Sequence, residues 1–322
     1  MKNILVTGGT GFIAQALFPK LLSANWKVRT TLRNEKKSWR LPDEIEKCVL
    51  GDLGRVTDWK SLMNGVDAVV HLAARVHHMN DKGQSTEKVY QKANVELTRT
   101  LAEESVKAGV QRFVFLSSVK AMGEETPAGE SWDESFSCSP QDAYGRSKYD
   151  AENILMNTAL KTDLEVVILR IPLVYGPGIK ANMAHLFRIV DRGLPLPLGT
   201  VKNARSMLFV GNLIDAIRAV LDHPKAAGQT YLVSDGEDIS TSELSRRIAK
   251  ALDRPARLFP IPSAILKLTG KLTGKSEMVD RLLNSLVIDS SKIRLELNWT
   301  PPYSMAQGLQ QTAEWFSSLR KN

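Results

Sequence analysis

In the stretch SPQDAYGRSKYDAENIL, Tyr144 precedes Lys148 by four residues within a helical pattern. Residues four apart on a helix share a face, so phenol and ammonium should point the same way. A free phenol ionises near ~10, too high to exchange protons efficiently at neutral pH. An ammonium beside it favours the phenolate, and bringing the pKa to about 7 takes roughly 3 units, or ~4 kcal/mol of differential stabilisation. The spacing alone is weak, because many helices carry a tyrosine and a solvated lysine four apart. Two companions give it weight. The run RFVFLSS ends in Ser117 and Ser118, and NILVTG leads into TGGTGFIAQAL, with Gly8 and Gly11 three apart and Ala14 where a third glycine often sits. In a parallel sheet the strand C-termini converge on one crevice, so Ser118 and Tyr144 could reach the same substrate oxygen beside a bound dinucleotide. The chemistry implied is proton exchange at a carbinol or carbonyl oxygen, coupled to hydride transfer.

A glycine turn after a strand lets backbone approach a pyrophosphate, and the helix that follows offers its N-terminal N–H groups and dipole to the anion. Phe12 and Ile13 open that helix and join Gly8 and Gly11 as candidate cofactor contacts. The second strand, KVRTTLRN, ends in Leu32 and Arg33 without a carboxylate. A guanidinium matches phosphate with two parallel hydrogen bonds, so Arg33 favours NADP over NAD. Asp52, with Leu53 after it, stands where an adenine amino group could be read; the plain alternative is a helix-capping aspartate.

The elements that must position these residues alternate. Short apolar runs (NILVTG, KVRTTL, KCVLGD, DAVVHLA, RFVFLSS, EVVILRIP) are mostly separated by helical patterns such as FIAQALFPKLLSAN, DWKSLMNG, NVELTRTLAEESVKAG and YDAENILMNTALKT. The expected fold is α/β: a doubly wound parallel sheet covered on both faces, with a smaller C-terminal α/β lobe for substrate. Gly- and Pro-rich texture after Pro172 puts the division at 1–175 and 176–322, with segments near 207–235 as candidates to return to the first sheet. The tail AILKLTGKLTGKSEMVDRLLNSL is amphipathic and Gly-interrupted; lobe packing is its first reading and membrane-surface contact its second.

At 322 residues the chain can bury a full core, and 43% hydrophobic with 24% charged residues excludes disordered and fibrous classes. The +8 charge is scattered, and its densest cluster, RNEKKSWR, is broken by Glu35, which argues against nucleic acid and suits small anionic ligands. Cys48 and Cys138 have no C-x-x-C spacing, so neither a disulfide framework nor a metal site is expected. The N-terminus enters a strand without an apolar leader, and no apolar run approaches ~20 residues; a cytoplasmic location is expected.

Taken together and in order, TGGTGFIA, GDL, DAVVHLAA, NVELTRTLAEESVKAGVQRFVFLSS, YGRSK, LVYGPG, ARSMLFVGNLIDAI and DSSKIRLELNWTPP resemble the extended short-chain dehydrogenase/reductases of the nucleotide-sugar epimerase/dehydratase kind. The resemblance covers nearly the whole chain and implies a Rossmann fold. By it, Tyr144 is the general acid/base, Lys148 tunes it and holds the nicotinamide ribose, and Ser118 orients the substrate oxygen. Asn94 matches a structural asparagine opening the helix before the serine strand, Ala73 lines the cofactor, and His71 is read as packed. Arg205 falls where relatives hold a sugar diphosphate, with Arg281, Lys120 and Asn182 as further substrate contacts. Two departures stand out: Leu173 replaces an asparagine common in relatives, and Val119–Lys120 replace the Asp–Glu pair of 4,6-dehydratases, which argues against elimination of water. The finer pattern is similar to a branch in bacterial O-antigen and capsule pathways. That implies a UDP-4-keto-6-deoxy-N-acetylhexosamine 4-reductase first, a UDP-hexose 4-epimerase second, and a non-catalytic NAD(P)-binding sensor third. Family members commonly form homodimers through the helices that would begin near Asn94 and Tyr144.

Overall fold

The structure is a computed structural model and describes residues 1–35, 41–56, 58–75, 84–274 and 276–320. Lys36, Lys37 and Arg40 of the basic cluster and Lys275 of the amphipathic tail lie outside the described residues. Seven strands form one parallel sheet in the order β3-β2-β1-β4-β5-β6-β9. They are β1 (Asn3–Thr7), β2 (Lys27–Leu32), β3 (Glu46–Val49), β4 (Ala68–His71), β5 (Arg112–Ser118), β6 (Glu165–Ile171) and β9 (Gln229–Leu232). The order reverses between β1 and β4, which opens a crevice at the C-terminal ends of those strands, where such sheets bind ligands.

Near-continuous apolar runs suit strands covered on both sides, and period-two alternation divides each run between two cores. Ile4, Val6, Val114, Leu116, Val167 and Leu169 face α1 (Phe12–Ser23) and α7 (Val210–Asp222). Leu5, Phe113, Phe115, Val166 and Ile168 face α2 (Trp59–Met63), α4 (Leu97–Lys107) and α5 (Ala143–Ala159). The chain leaves this sheet after β6, forms β7 (Leu173–Tyr175) and β8 (Arg205–Phe209) of a second sheet, returns through α7 to place β9 beside β6, and then adds β10 (Asp238–Ile239) to the second sheet, antiparallel to β8. Outside the main sheet lie α6 (Ala181–Asp191), α8 (Thr241–Ala251), α9 (Ser263–Leu272) and α10 (Ser276–Leu283). The amphipathic tail therefore forms two helices, divided at Gly274, whose φ of +67° suits a helix-ending glycine.

The helix expected to open near Asn94 runs instead from Gln84 in the described residues, as α3 (Gln84–Tyr90), a π-helical segment Gln91–Glu96 and then α4. Asn94 is buried inside the π segment. Its Oδ1 accepts from the Arg75 amide at 2.8 Å, and its Nδ2 donates to the Arg75 carbonyl at 3.2 Å and to Ser147 Oγ at 2.9 Å. A side chain so fully used ties this helix to α5 and to the loop after β4 rather than capping a helix start. Among the described residues no helix is long and apolar enough to cross a membrane, and Cys48 and Cys138 are both free thiols.

Candidate active site

The local order of α5 begins with Asp142, which accepts from the Gly145 amide at 2.6 Å and so satisfies one orphan donor of the first turn. The same carboxylate takes Lys120 Nζ at 2.6 Å, and Lys120 also reaches Glu124 at 2.9 Å. Lys120 stands just past Ser118, which ends β5 and accepts from the Lys120 amide at 3.2 Å to start a 3₁₀ turn over Val119–Ala121. Strand end and helix start are thus tied together. Gly145 makes the approach feasible: a Cβ there would run into the Lys120 carbonyl oxygen and lie 3.1 Å from Asp142 Oδ1. Tyr144, one residue earlier, is consequently held near the Ser118 side chain, which acts on its phenol. Gly145→Ala is expected to cost about 1–3 kcal/mol through overpacking and to lower turnover about 100-fold, because small displacements of a reacting group are costly. Urea unfolding and steady-state kinetics measure both; a variant with unchanged turnover would show that this close approach does not position Tyr144.

Electrostatics differ from the expectation at one point. Burial raises the Tyr144 phenol above its ordinary value, the Ser118 hydrogen bond opposes that rise, and Asp142 and Tyr90 add to it. The phenol is therefore neutral at pH 7. Lys148 shares its face of α5, but the ammonium is buried, donates to the Leu116 carbonyl at 2.8 Å and sits 4.4 Å from the centre of the Phe115 ring. Burial pulls Lys148 down to about 8, with Glu152 opposing. Glu152, one turn further along α5 and 2% exposed, accepts from Ser117 Oγ and from Arg170 Nη2 at 2.7 Å. Sequence reasoning missed Asp142, Gly145 and the Glu152–Arg170 pair, although the aspartate before a helical run and the four-residue spacing of Lys148 and Glu152 were readable signals.

Around the crevice, Gly8 has φ +79° and a Cβ on it would lie 3.2 Å from the Ala73 backbone. Thr7 Oγ1 accepts from the Leu72 and Ala73 amides at 3.1 and 3.0 Å, which fixes the loop after β4 against that turn. Gly11 caps α1 without a side chain, no acidic residue stands in the first turn, and Phe12 and Ile13 follow directly. The positive end of α1 is thereby left for an anion, next to a backbone too close for any side chain. These residues fit the pyrophosphate of a dinucleotide. His71 is packed, 1% exposed, bonded to Thr7 and Thr98 hydroxyls, and pushed down to about 3 mainly by burial, then by Lys148. It is neutral and holds the loop. Asp52 accepts from the Gly54 amide at 3.1 Å and caps a short 3₁₀ turn that includes Leu53, as its plain alternative required. Arg33 is exposed at the end of β2 and has no hydrogen-bond or ion-pair partner among the described residues.

On the lobe side, Arg205 begins β8 and donates to the carbonyls of Arg281 and Asn284 at 3.0 and 3.2 Å. Burial and then the neighbouring Arg281 lower its pKa, while Glu124 opposes. Two adjacent guanidiniums invite an anion. Glu124, which pairs with Lys120, also acts on Arg205 through its charge, without an ion pair to it among the described residues. Lys120 is thus already occupied by two carboxylates, which gives it a bracing geometry. Asn182 lies exposed in the first turn of α6, and Leu173 is 45% exposed on β7. A Cβ on Gly178 would lie 3.1 Å from the Phe12 ring, so the loop between β7 and α6 rests against the start of α1.

The family model of the NAD dependent epimerase/dehydratase family matches residues 4–234. A UDP-glucose 4-epimerase of Vibrio cholerae is 42% identical over 317 residues, spanning 98% of this chain and 95% of its own. An N-acetyl-alpha-D-glucosaminyl-diphospho-ditrans,octacis-undecaprenol 4-epimerase of Escherichia coli O157:H7 is 26% identical, over 97% of this chain and 95% of its own. Among solved structures, a UDP-glucuronic acid 4-epimerase from Bacillus cereus in complex with NAD superposes with a TM-score of 0.81, covering 99% of this chain and 97% of that one. At 22% identity this is a likeness of fold.

Proposed function

The chain belongs to the NAD-dependent epimerase/dehydratase family and is an NAD-dependent enzyme of the short-chain dehydrogenase/reductase type, and from that premise we propose that it inverts C4 of a UDP-hexose. The observation that carries this reading is the placement of Ser118 at the end of β5 beside Tyr144 in the first turn of α5, with Lys148 one turn on and the Gly8–Gly11 turn at the end of β1 in the same parallel sheet. The relative at 42% identity moves 4-epimerisation ahead of 4-keto reduction.

A nicotinamide dinucleotide bound at Gly8, Gly11, Phe12, Ile13 and Ala73 supplies the hydride acceptor and donor. Tyr144 exchanges one proton with the sugar O4: its phenolate takes that proton when the alcohol is oxidised, and the neutral phenol so formed returns it when the ketone is reduced. Because the phenol is neutral in this structure, the phenolate has to be favoured by the positive charges of Lys148 and of an oxidised nicotinamide. Ser118 donates to that same oxygen and fixes its position relative to the phenol. Lys148 keeps a positive charge beneath the site, anchored by the Leu116 carbonyl. Arg205 and Arg281 hold the diphosphate, and Lys120 braces the start of α5. In this reading residues 1–175 and the returning segment hold the cofactor, the rest of 176–322 holds the sugar nucleotide, and two chains pair through α4 and α5.

Incubation with UDP-glucose or UDP-N-acetylglucosamine and NAD is expected to give the C4 epimer with no net change in reduced-cofactor absorbance. A second reading, reduction of a UDP-4-keto-6-deoxy-N-acetylhexosamine, is favoured by Arg33, whose exposed guanidinium suits a 2′-phosphate. Stoichiometric loss of NADPH with that ketone, and no interconversion of hexoses, would replace the first reading with the second. If Arg33 reads the phosphate, Arg33→Ala raises the KM for NADPH about tenfold, the loss of roughly one charge-assisted contact, and leaves that for NADH unchanged.

A further inference from the structure

We propose that α9 is a docking element for anionic bilayer surfaces, independent of which C4 reaction the site performs. Of its ten residues only Gly270 is buried and Leu266 half-buried; the other eight are exposed. Ile265, Leu268 and Leu272 are 50%, 57% and 78% exposed. At about 100° per residue they fall within about 60° of one another, roughly opposite Leu266 and Gly270. The helix thus has one apolar edge on the protein and a second turned to solvent. The inward edge is accounted for: a Cβ on Gly270 would lie 2.8 Å from Val279 of α10, so the two helices pack closely. The outward edge has no use within the chain among the described residues.

Charge identifies the occupant. Lys267 and Lys271 stand one residue before Leu268 and Leu272, are exposed, and have no ion-pair partner among the described residues. Both lysines lie on one flank of the stripe, Lys271 about 60° and Lys267 about 100° from Leu268. An apolar stripe with lysines along one flank is complementary to acyl chains beneath an anionic headgroup layer, where the aliphatic stems lie along the boundary and the ammoniums reach phosphate. Phe259, four residues before α9 begins, is 39% exposed, and Leu194 on the adjoining loop is 47% exposed. That loop is joined to Phe259 by the Phe259 N–H donating to the Leu196 carbonyl at 3.0 Å. Docking through α9 would bring α10, and with it Arg281, close to the bilayer surface.

The test is cosedimentation of the full chain with vesicles of phosphatidylcholine alone or with phosphatidylglycerol. Binding is expected with the anionic vesicles and at least tenfold less with the neutral ones. Leu268→Glu/Leu272→Glu should lose it tenfold or more while retaining turnover of a soluble UDP-sugar. Lys267→Glu/Lys271→Glu should lose binding at low salt, where the wild-type chain binds most tightly. Equal sedimentation with both vesicle types, or undiminished binding by the leucine variant, overturns the proposal. So does a change in sedimentation-velocity mass of that variant, which would mark the stripe as a contact between copies of this chain.

Discussion

Replacing Tyr144 by phenylalanine is expected to lower kcat by about 1,000-fold, in the range that a positioned proton donor contributes, and to leave the fold and UDP-sugar affinity nearly unchanged. The ring would keep its edge contact with Tyr90, whose centroid lies 6.1 Å away. What disappears is the hydroxyl beside Ser118. Ser118 cannot substitute for it, because an aliphatic hydroxyl binds its proton far more tightly than a phenol. Rapid-mix turnover gives kcat, and titration calorimetry with UDP-sugar separates chemistry from binding. A variant whose kcat stays within tenfold of the parent would remove Tyr144 from its assigned role, and a loss confined to KM would make it a binding group.

The largest expected effect on stability is at Glu152. Its carboxylate is buried against Arg170 with bonds of 2.7 and 3.1 Å, and Arg170 itself is 7% exposed. Removing one charge strands the other, so Glu152→Leu should destabilise the fold by about 3–5 kcal/mol, a large share of the ~5–15 kcal/mol available to a protein. Glu152→Gln keeps the shape and reads a second consequence. Lys148 is held at about 8, first by burial, and Glu152 is the group that pulls it upward. Without that charge the ammonium loses its proton at lower pH, and the alkaline fall of kcat/KM moves towards neutrality. The linkage has a definite sign. The ordinary value of Lys148 is 10.5, so between about 8 and 10.5 the unfolded chain binds the extra proton and the stability contributed by this group rises with pH. In Glu152→Gln that window opens lower. Urea melts across pH and a pH–rate profile test both; an alkaline limb that stays in place would uncouple Lys148 from Glu152.

The alternation of apolar runs and helical patterns was enough to name the doubly wound sheet, because a strand covered on both faces must be apolar at consecutive positions. Gly8, Gly11, Ser118, Tyr144 and Lys148 were legible for a related reason: each sits at a strand end or on one helix face, where spacing maps onto position. The beginning of the helix before β5 was not. Asn94 looked like a helix opener, yet its amide is spent on Arg75 and Ser147, and only those partners, 19 and 53 residues away, explain the π segment that carries it.

Sequence by itself therefore determined the fold class, the glycine turn after β1 and the candidate pair Tyr144 and Lys148, since all three depend on local periodicity and on residues only a few positions apart. Tertiary structure alone decided how that pair is tuned. Lys148 turns into β5, Tyr144 is buried near Ser118, and Gly145 lets α5 lie against the Lys120 carbonyl. Burial and a long-range carboxylate–guanidinium pair set these charges. Desolvation depends on everything packed around a group, and no spacing along the chain encodes it.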